Sequence, residues 1–304
     1  MDAPVAKSAP LPPDPCGNCP ESVPPVAVEV GFLHVGPQGQ GRPERRCIAT
    51  ETPVQIVFNG VLPYAVMMVT PADLEDFARG FVLSERLLES PEELSACRIE
   101  REGENVILQL TVAQAPFRRL LLRRGEGRSL SGRTGCGVCG LETTDLLDAP
   151  LPPVPAGGSF TLAAIRRGLR DLRASQVMNA EVRMLHAAAW TDREGKILLV
   201  REDVGRHNAL DKLIGALQRA ELDPAEGICL LTSRCSFEMA QKAVLAGMRC
   251  LVAVSAPTAR AVTVARQAGL TLVAQAREEG QNIFCGSERL SDLRLAAPPS
   301  PQCE

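Results

Sequence analysis

The sequence predicts an α/β protein, a sheet with helices on its faces, preceded by a smaller β-rich N-terminal subdomain. Two observations predict this arrangement. In the last third of the chain, apolar runs of strand length alternate with helix-length segments, a pattern typical of parallel βαβ units. In the first half, apolar runs are instead separated by hairpin signals such as Asn59-Gly60. A chain of 304 residues is long enough to give each part its own core.

The composition disfavours several classes of protein. No run of about 18 apolar residues is present and no cationic segment precedes an apolar one at the N-terminus, so we expect a cytoplasmic protein with no membrane partner. The 11 cysteines are an odd number and most lie singly in apolar runs, which argues against a disulfide scaffold. A net charge of −3 and an aromatic content of 3% give no basis for nucleic-acid binding.

Proline, glycine and small polar residues divide the chain into segments. We expect a disordered Pro-rich arm (1–25), a β-rich subdomain ending in a mobile Cys-x-x-Cys loop (26–145), a linker (146–158), an α/β subdomain (159–288) and a flexible tail (289–304). The arm contains a second thiol pair, Cys16 and Cys19, to which the sequence assigns no role.

The elements of the β-rich part follow from alternation and turn chemistry. A strand is expected over 26–32, a hairpin over 51–69 and a second hairpin over 99–112. Between the hairpins, Thr70-Pro71-Ala72-Asp73 combines a capping threonine, a proline at the first helical position and an acid three residues after the cap. These features predict a helix over 71–84. After the second hairpin, the chain is expected to enter an Arg-rich and Gly-rich loop.

In the second half, Thr161 is expected to cap a helix with an apolar face. Two strands follow, at 186–190 and 197–200, and a polar run over 202–212 then leads into an amphipathic helix. The repeated units comprise strands at 228–232, 250–255 and 270–274 and helices at 236–246 and 257–268.

Polar residues follow the ends of these repeated strands. Because parallel strands end at the same edge of a sheet, Ser233-Arg234, Ser255 and Ala276-Arg277 should gather there. Helix N-termini at that edge favour phosphates, so an anionic, nucleotide-like ligand is predicted. Neither G-x-G-x-x-G after a strand nor G-x-x-x-x-G-K-[ST] occurs, which argues against ordinary dinucleotide-binding folds and NTPases.

The segment Gly135-Cys136-Gly137-Val138-Cys139-Gly140 places two thiols in a glycine-rich stretch. Glycines before, between and after the thiols favour an exposed loop. Arginines in the approach should favour thiolate over thiol; they are Arg118, Arg119, Arg123, Arg124, Arg128 and Arg133. Three interpretations remain open on the residues alone: half of a zinc site, a redox dithiol, or a sulfur-carrying nucleophile.

Several polar residues of the second half have a chemical and a structural interpretation. His207 with Asp203 and Asp211 could form an acid/base group, but carboxylates that stabilise a helix start are the favoured interpretation. His186 lies in a small apolar strand and is expected to be a core or interface histidine.

Residues in and just before the helix at 236–246 can also be interpreted as chemical or as structural groups. Cys235 could have a lowered pKa, although anion binding beside Arg234 is favoured, and Lys242 could pair with Glu238 one turn away. Zinc-dependent deamination needs an H-x-E segment. No histidine of this chain has a glutamate two residues later, so the sequence does not support hydrolytic deamination.

Several stretches taken together resemble the formate dehydrogenase accessory sulfurtransferase family (FdhD-like). They are Glu51-Thr52-Pro53-Val54 with Asn59-Gly60, Thr70-Pro71-Ala72-Asp73-Leu74, Gly80-Phe81-Val82-Leu83-Ser84-Glu85, Cys136-Gly137-Val138-Cys139-Gly140, His186-Ala187-Ala188, the run from Glu202 to Lys212, Ser233-Arg234-Cys235-Ser236-Phe237-Glu238-Met239 with Lys242, and Val254-Ser255-Ala256-Pro257-Thr258. They occur in the family's order between Cys47 and Cys285, which is nearly all of the chain expected to be ordered.

The resemblance implies a function. A cysteine desulfurase would load sulfur onto Cys136 as a persulfide, with Cys139 assisting. The sulfur would then pass to the molybdenum (or tungsten) bis(molybdopterin guanine dinucleotide) cofactor, the bound client, before that cofactor enters formate dehydrogenase. The resemblance also implies a cytidine-deaminase-like sheet without zinc and a homodimer. The expected cofactor-binding residues are His207, Ser233, Arg234, Ser255, Gln275, Ala276, Arg277, Glu278, Glu279 and Gly280.

The sequence therefore predicts a sulfurtransferase with a persulfide intermediate. A rival from another class is a binding protein that holds and delivers the cofactor, with the two thiols acting as a clamp. A structural zinc module is the third interpretation.

Overall fold

The computed structural model of the chain describes residues 23–125 and 151–294. Within these residues it is a mixed α/β protein with three sheets. The first is a two-stranded antiparallel ribbon of β1 (Ala27–Val35) and β2 (Gly41–Ala49). The predicted strand at 26–32 is therefore confirmed, and β2 is an addition that the sequence did not predict.

A four-stranded sheet forms the core of the N-terminal part. Its strands are β3 (Thr52–Phe58), β4 (Leu62–Val69), β5 (Leu94–Glu102) and β6 (Asn105–Val112), in the order β4-β3-β6-β5. Both predicted hairpins are confirmed. The first turns at Asn59 and Gly60, whose φ angles of 49° and 70° are the left-handed values that a tight hairpin turn requires.

Helix α1 (Leu74–Ser84) packs on this sheet, but its start differs from the prediction. The helix begins three residues later than expected, and its N-cap is Asp73, with φ 51° and no side-chain cap. The Thr70 hydroxyl instead accepts a hydrogen bond of 3.1 Å from the Val204 backbone N–H. A contact between the two parts of the protein therefore replaces the local cap.

The Arg-rich approach to the thiols is helical in its first portion, α2 (Gln114–Gly125), and the expected loop is wrong there. Arg119 lies 2.5 Å from Glu93 and 3.4 Å from Glu89, so its charge is largely compensated. The thiols Cys136 and Cys139, and the loop predicted to carry them, lie outside the described residues.

The C-terminal part is built on a six-stranded sheet of order β12-β11-β10-β9-β7-β8. Its strands are β7 (His186–Thr191), β8 (Ile197–Asp203), β9 (Ile228–Leu231), β10 (Cys250–Ala253), β11 (Thr271–Ala274) and β12 (Asn282–Cys285). Strands β9, β10 and β11 are parallel as predicted. Strand β12, antiparallel to β11 at the edge, was not predicted.

Helices cover both faces of this sheet and form two apolar clusters with it. They are α3 (Leu162–Leu172), α4 (Val177–Val182), α5 (Arg206–Arg219), α6 (Phe237–Leu245) and α7 (Ala259–Ala268). The predicted cap of α3 is confirmed, because the Thr161 hydroxyl accepts a 3.0 Å hydrogen bond from the Ala164 N–H. None of the helices in the described residues is long and apolar enough to cross a bilayer.

The two parts meet where α1 crosses α5, through one glycine of each helix. A Cβ atom on Gly80 would lie 1.7 Å from the Asp211 carbonyl oxygen, and one on Gly215 would lie 1.9 Å from the Asp76 carbonyl oxygen. The missing side chains therefore allow the two backbones into direct contact.

Buried ion pairs flank this crossing. Lys212 lies 2.8 Å from Asp203, and both side chains are fully buried. Lys242 lies 2.9 Å from Asp211 and 2.8 Å from Glu85, which follows α1. Such pairs fix the relative position of the two parts, since removing one partner leaves a buried charge without compensation.

Candidate functional site

Loops at the carboxyl ends of β9, β10 and β11 lie side by side, as the sequence predicted. The Ser255 N–H donates to the Ser233 carbonyl at 3.4 Å, and the Gln275 N–H donates to the Ser255 carbonyl at 3.0 Å. The Arg277 N–H donates to the Gly280 carbonyl at 2.8 Å and closes the third loop. We call this set of loops the carboxyl edge.

The predicted residues of the carboxyl edge differ in exposure. Exposed are Arg234, Gln275, Arg277, Glu278, Glu279 and Gly280. Ser233 is 4% exposed and Ala276 is 1% exposed, so their side chains offer little surface, whereas Ser255 is half-buried. The Gln275 amide oxygen accepts a 2.6 Å hydrogen bond from Asn282 on β12. Glu278 lies 3.6 Å from Arg170, which partly compensates its charge.

Two residues of the carboxyl edge were missed by the sequence analysis. Strand β7 runs antiparallel to β9, so its first residue, His186, lies at the end of the sheet where β9 terminates. His186 pairs with Asp203, the last residue of β8, and Arg206 begins α5 shortly afterwards. The half-buried His186 thus lies near Arg206 and Arg234 at this end of the sheet. Burial lowers its pKa, and the positive charges of Arg206 and Arg234 lower it further.

His207 joins the same group from the first turn of α5 and is 5% exposed. Its Nε2 lies 3.9 Å from the carboxylate of Glu238, in the first turn of α6. The imidazole holds the pKa of Glu238 at about 2, against the opposing effect of burial, so this carboxylate is ionised at neutral pH.

The two aspartates near His207 do not form an acid/base group with it. Asp203 accepts hydrogen bonds from the N–H groups of Thr70 and Gly205, at 2.9 and 2.8 Å, besides its ion pair with Lys212. Asp211 is bound by Lys242 and by the Ser84 hydroxyl at 2.6 Å. Both acids therefore have a structural role, but through buried ion pairs with lysines and not through the helix start that the sequence analysis favoured.

Two further possibilities raised by the sequence near α6 do not hold. Lys242 does not pair with Glu238, because its ammonium group points toward Asp211 and Glu85. Cys235 is fully buried, and burial raises its pKa to about 12 instead of lowering it. Its thiol therefore stays protonated and is a poor nucleophile.

Positive charge runs along the carboxyl edge. Arg206, Arg234 and Arg277 begin or follow elements there, and Arg260 on α7 stacks over the Phe237 ring at 4.9 Å. The N-caps of α5 and α6 provide no side-chain cap, whereas Thr258 caps α7 with its hydroxyl. Uncapped helix N-termini beside arginines favour an anionic ligand.

A cavity of about 960 Å³ lies at the opposite ends of α5 and α6. Two of its arginines are already engaged, Arg79 with Glu75 at 2.9 Å and Arg219 with Asp76 at 2.8 Å. This cavity is therefore less suited to a polyanion than the carboxyl edge. The described residues contain no cluster of three or more histidine, cysteine or acidic side chains that could hold a metal ion.

Comparison with known proteins places the chain in a family. The FdhD/NarQ family pattern matches residues 49–291. The chain is 47% identical over 249 residues to a protein of Variovorax paradoxus named sulfur carrier protein FdhD, covering 82% of this chain and 88% of that protein. A protein of the same name from Bordetella petrii is 44% identical over 243 residues, covering 80% and 86% of the two chains.

A crystal structure has the same fold. It is that of a candidate formate dehydrogenase accessory protein from Desulfotalea psychrophila, with a TM-score of 0.70 and 22% identity, covering 88% of this chain and all of that one. At this identity the likeness concerns the fold alone. The family pattern and the identity to the two relatives together establish that the chain belongs to the FdhD/NarQ family.

Proposed function

We propose that this protein is a sulfur carrier that serves formate dehydrogenase. It takes sulfur from a cysteine desulfurase as a persulfide on Cys136 and delivers it to a molybdenum or tungsten bis(molybdopterin guanine dinucleotide) cofactor. The observation that carries the proposal is the 47% identity, over 82% of this chain, to a protein named sulfur carrier protein FdhD. The sequence supplies the two thiols that such a role needs, Cys136 and Cys139.

The loading step is an exchange without net oxidation. The Cys136 thiolate attacks the terminal sulfur of the desulfurase persulfide, a new S–S bond forms, and the desulfurase cysteine leaves as a thiolate. Delivery breaks the S–S bond of the Cys136 persulfide. The terminal sulfur becomes a sulfide ligand of the metal, the reduced metal supplies the two electrons, and Cys136 is released as a thiolate.

The carboxyl edge supports docking of the cofactor there. Its arginines and two uncapped helix N-termini provide positive potential at one end of the sheet, which suits a ligand that carries several phosphates. Within this edge the groups open to a ligand are Arg234 and the exposed 277–280 loop, together with Gln275. Ser233 and Ala276 are buried, so we expect them to shape the loops.

Two finer aspects of the fold belong to the same proposal. The order β8-β7-β9-β10-β11, with β7 antiparallel to β9, supports a cytidine-deaminase-like sheet. A loop carrying Cys136 and Cys139 would bring the persulfide to the cofactor. We expect the protein to act in the cytoplasm, where reducing conditions would keep thiols such as the buried Cys229 and Cys250 free.

Intact-mass measurement tests the proposal. After incubation with a cysteine desulfurase and cysteine, the wild type should gain the mass of one sulfur atom, and Cys136→Ala should gain none. Cys139→Ala should still be loaded if that residue only assists. The control is Cys97→Ala, which should load like the wild type because burial raises the pKa of Cys97 to about 11.

The rival binding protein and the zinc module make other predictions in the same experiment. A protein that only holds the cofactor would bind it without gaining sulfur. A zinc module would contain one zinc per chain and lose fold when the metal is chelated. Either result, or sulfur on Cys136→Ala, would refute the persulfide carrier.

We also infer a homodimer, and the β1–β2 ribbon supports it. Val28, Val30 and Phe32 lie on one face of β1 with exposed fractions of 42%, 39% and 36%. A two-stranded ribbon is only marginally stable by itself in water. An exposed apolar face on such a ribbon therefore favours burial against another protein surface. We propose that this surface belongs to a second copy of the chain.

Analytical ultracentrifugation tests the homodimer. The wild type should sediment as a dimer and Val30→Glu as a monomer, because a carboxylate would be buried in the interface without a partner. Val61→Glu is the matched control, since Val61 is 72% exposed at the turn of the β3–β4 hairpin. A monomeric wild type would refute the inference.

A further inference from the structure

Helix α2 exposes an apolar surface that the described part of the chain does not cover. Leu121 and Leu122 are adjacent on this helix and have exposed fractions of 47% and 71%. Among the helices that the structure describes, α2 alone exposes two large apolar side chains. Neighbouring exposed leucines on a folded surface favour contact with another protein.

A different face of α2 is fixed to the β-rich part. Leu120 is fully buried, and Phe117 is half-buried against the apolar core of the four-stranded sheet. Arg119 donates a hydrogen bond of 2.5 Å to Glu93, and its Nε lies 3.4 Å from Glu89. The helix is therefore held in one orientation with the two leucines outward, and a surface that is already ordered binds at a lower entropic cost.

Positive charge adjoins the two leucines. Arg118 lies one helical turn before Leu121 and Leu122, so the three side chains share a face of the helix, which we call the α2 face. Arg118 is exposed and has no ion pair within residues 23–125 and 151–294. The stretch from Gln114 to Cys136 contains six arginines and one acid, Glu126. The charge of this surface therefore favours a partner that carries carboxylates.

A second copy of the chain fits the α2 face poorly. In a symmetric dimer both copies contribute the same surface to the interface. Two arginine-rich stretches would then meet, and like charges across an interface repel each other. The surface is better matched by a different protein that presents an apolar patch bordered by acidic groups.

The α2 face is also close along the chain to the thiol that receives sulfur in the proposed function. Cys136 follows Gly125, the last residue of α2, by eleven residues. An extended chain of that length spans at most about 40 Å. A protein bound to the α2 face would therefore be within reach of Cys136.

We propose that the α2 face is the docking surface for the protein that donates sulfur to Cys136. The identity of the partner as a sulfur donor rests on the proposed function. The place of the contact rests on the exposure of Leu121 and Leu122 and on the charge of Arg118.

Biolayer interferometry with an immobilised cysteine desulfurase tests the docking. The full chain carrying Cys136→Ala is the parent, so binding is measured without sulfur transfer. Adding Leu122→Glu should raise the dissociation constant roughly tenfold or more, because a carboxylate would be placed against an apolar and acidic surface. Val61→Glu is the matched control: Val61 is 72% exposed at the turn of the β3–β4 hairpin, so this variant should bind like the parent. Unaltered binding by a folded Leu122→Glu would refute the docking surface.

Arg118→Gln tests the charge of the α2 face. At low ionic strength it should lower the association rate constant about threefold or more, and it should weaken the dependence of that rate on salt. Arg173→Gln, at an exposed position after α3, should associate like the parent. A face that instead holds a second copy would appear as a dimer lost in Leu122→Glu with desulfurase binding intact. A membrane-binding face would appear as lost affinity for vesicles of anionic lipid, again with desulfurase binding intact, and either result would overturn the proposal.

Sulfur loading separates failure of this proposal from failure of the proposed function. If Leu122→Glu weakens binding but the wild type never gains sulfur on Cys136, the docking surface is retained and the sulfur carrier is refuted. If the wild type is loaded and Leu122→Glu is loaded equally well at every desulfurase concentration, the sulfur carrier is retained and the docking surface is refuted. When both proposals hold, Leu122→Glu should need roughly tenfold more desulfurase for half-maximal loading.

Discussion

Replacing Gly80 by alanine is expected to destabilise the protein by about 3 kcal/mol or more, because the added methyl group has no space. Its Cβ would lie 1.7 Å from the Asp211 carbonyl oxygen and 2.9 Å from the Gly215 nitrogen. Both neighbours are backbone atoms of α5, so no side chain can turn away to relieve the contact. The helices α1 and α5 must separate, and the two parts of the protein with them.

The sign of the stability change in Gly80→Ala tests whether the two helices are in close contact. Inside a helix, glycine to alanine normally stabilises a protein by about 0.5–1 kcal/mol. Chemical denaturation of Gly80→Ala should show the opposite sign, while Gly41→Ala, with no atom within 4 Å of the added Cβ, should be near neutral. A stabilised Gly80→Ala would contradict the close approach of the helices.

Gly215→Ala should behave similarly, since its Cβ would lie 1.9 Å from the Asp76 carbonyl oxygen. The double variant should lose less stability than the sum of the two single losses. Once the helices have moved apart for one methyl group, the second has room, and contacting residues are not additive.

Much of the fold could be predicted because its signals are local. The strands β9, β10 and β11 are buried on both faces and read as short apolar runs, and the turn at Asn59-Gly60 needs left-handed φ values that these residue types favour. The start of α1 could not be predicted from local chemistry. The Thr70 hydroxyl has its partner at Val204, 134 residues away, and that contact prevents the expected cap.

The candidate site also contains residues that could be predicted from the sequence and residues that could not. Ser255 and Gln275 could be predicted to lie together because parallel strands end at one edge, which needs only the order of the elements. His186 and Arg206 could not, because their place depends on β7 being antiparallel to β9. A short apolar segment such as His186-Ala187-Ala188 carries no signal that tells whether its strand is parallel or antiparallel to the neighbouring strand.

The polar run from Glu202 to Lys212 shows why residue type alone does not identify a catalytic group. Asp203 and Lys212 are fully buried, and their partners include backbone groups of Thr70 in the other part of the protein. These residues hold the β-rich part against the start of α5. They thereby position His207, in the first turn of α5, at the carboxyl edge.

Lys242→Met should destabilise the protein by about 3–5 kcal/mol, because it removes the cation from a fully enclosed carboxylate. Burial opposes the charge of Lys242, but Asp211 and Glu85 raise its pKa above the ordinary value, which keeps the ammonium charged at neutral pH. In the wild type, the Asp211 carboxylate accepts hydrogen bonds from Lys242 at 2.9 Å and from the Ser84 hydroxyl at 2.6 Å. In the variant, only the bond from the Ser84 hydroxyl would remain among these contacts. Lys196→Met, at an exposed position, should stay within about 0.5 kcal/mol of the wild type.

The pH dependence of Lys242→Met distinguishes a lost charge pair from a simple loss of packing. Burial already raises the pKa of Asp211 above its ordinary 3.8, and removal of the lysine should raise it further. A folded-state pKa above the unfolded value means that stability falls as pH rises from the unfolded value to the folded one. Urea denaturation should therefore show a smaller loss at pH 5 than at pH 8, and Asp211→Asn should restore stability to Lys242→Met at pH 8. A loss that is independent of pH and unaffected by Asp211→Asn would show that the pair contributes packing alone.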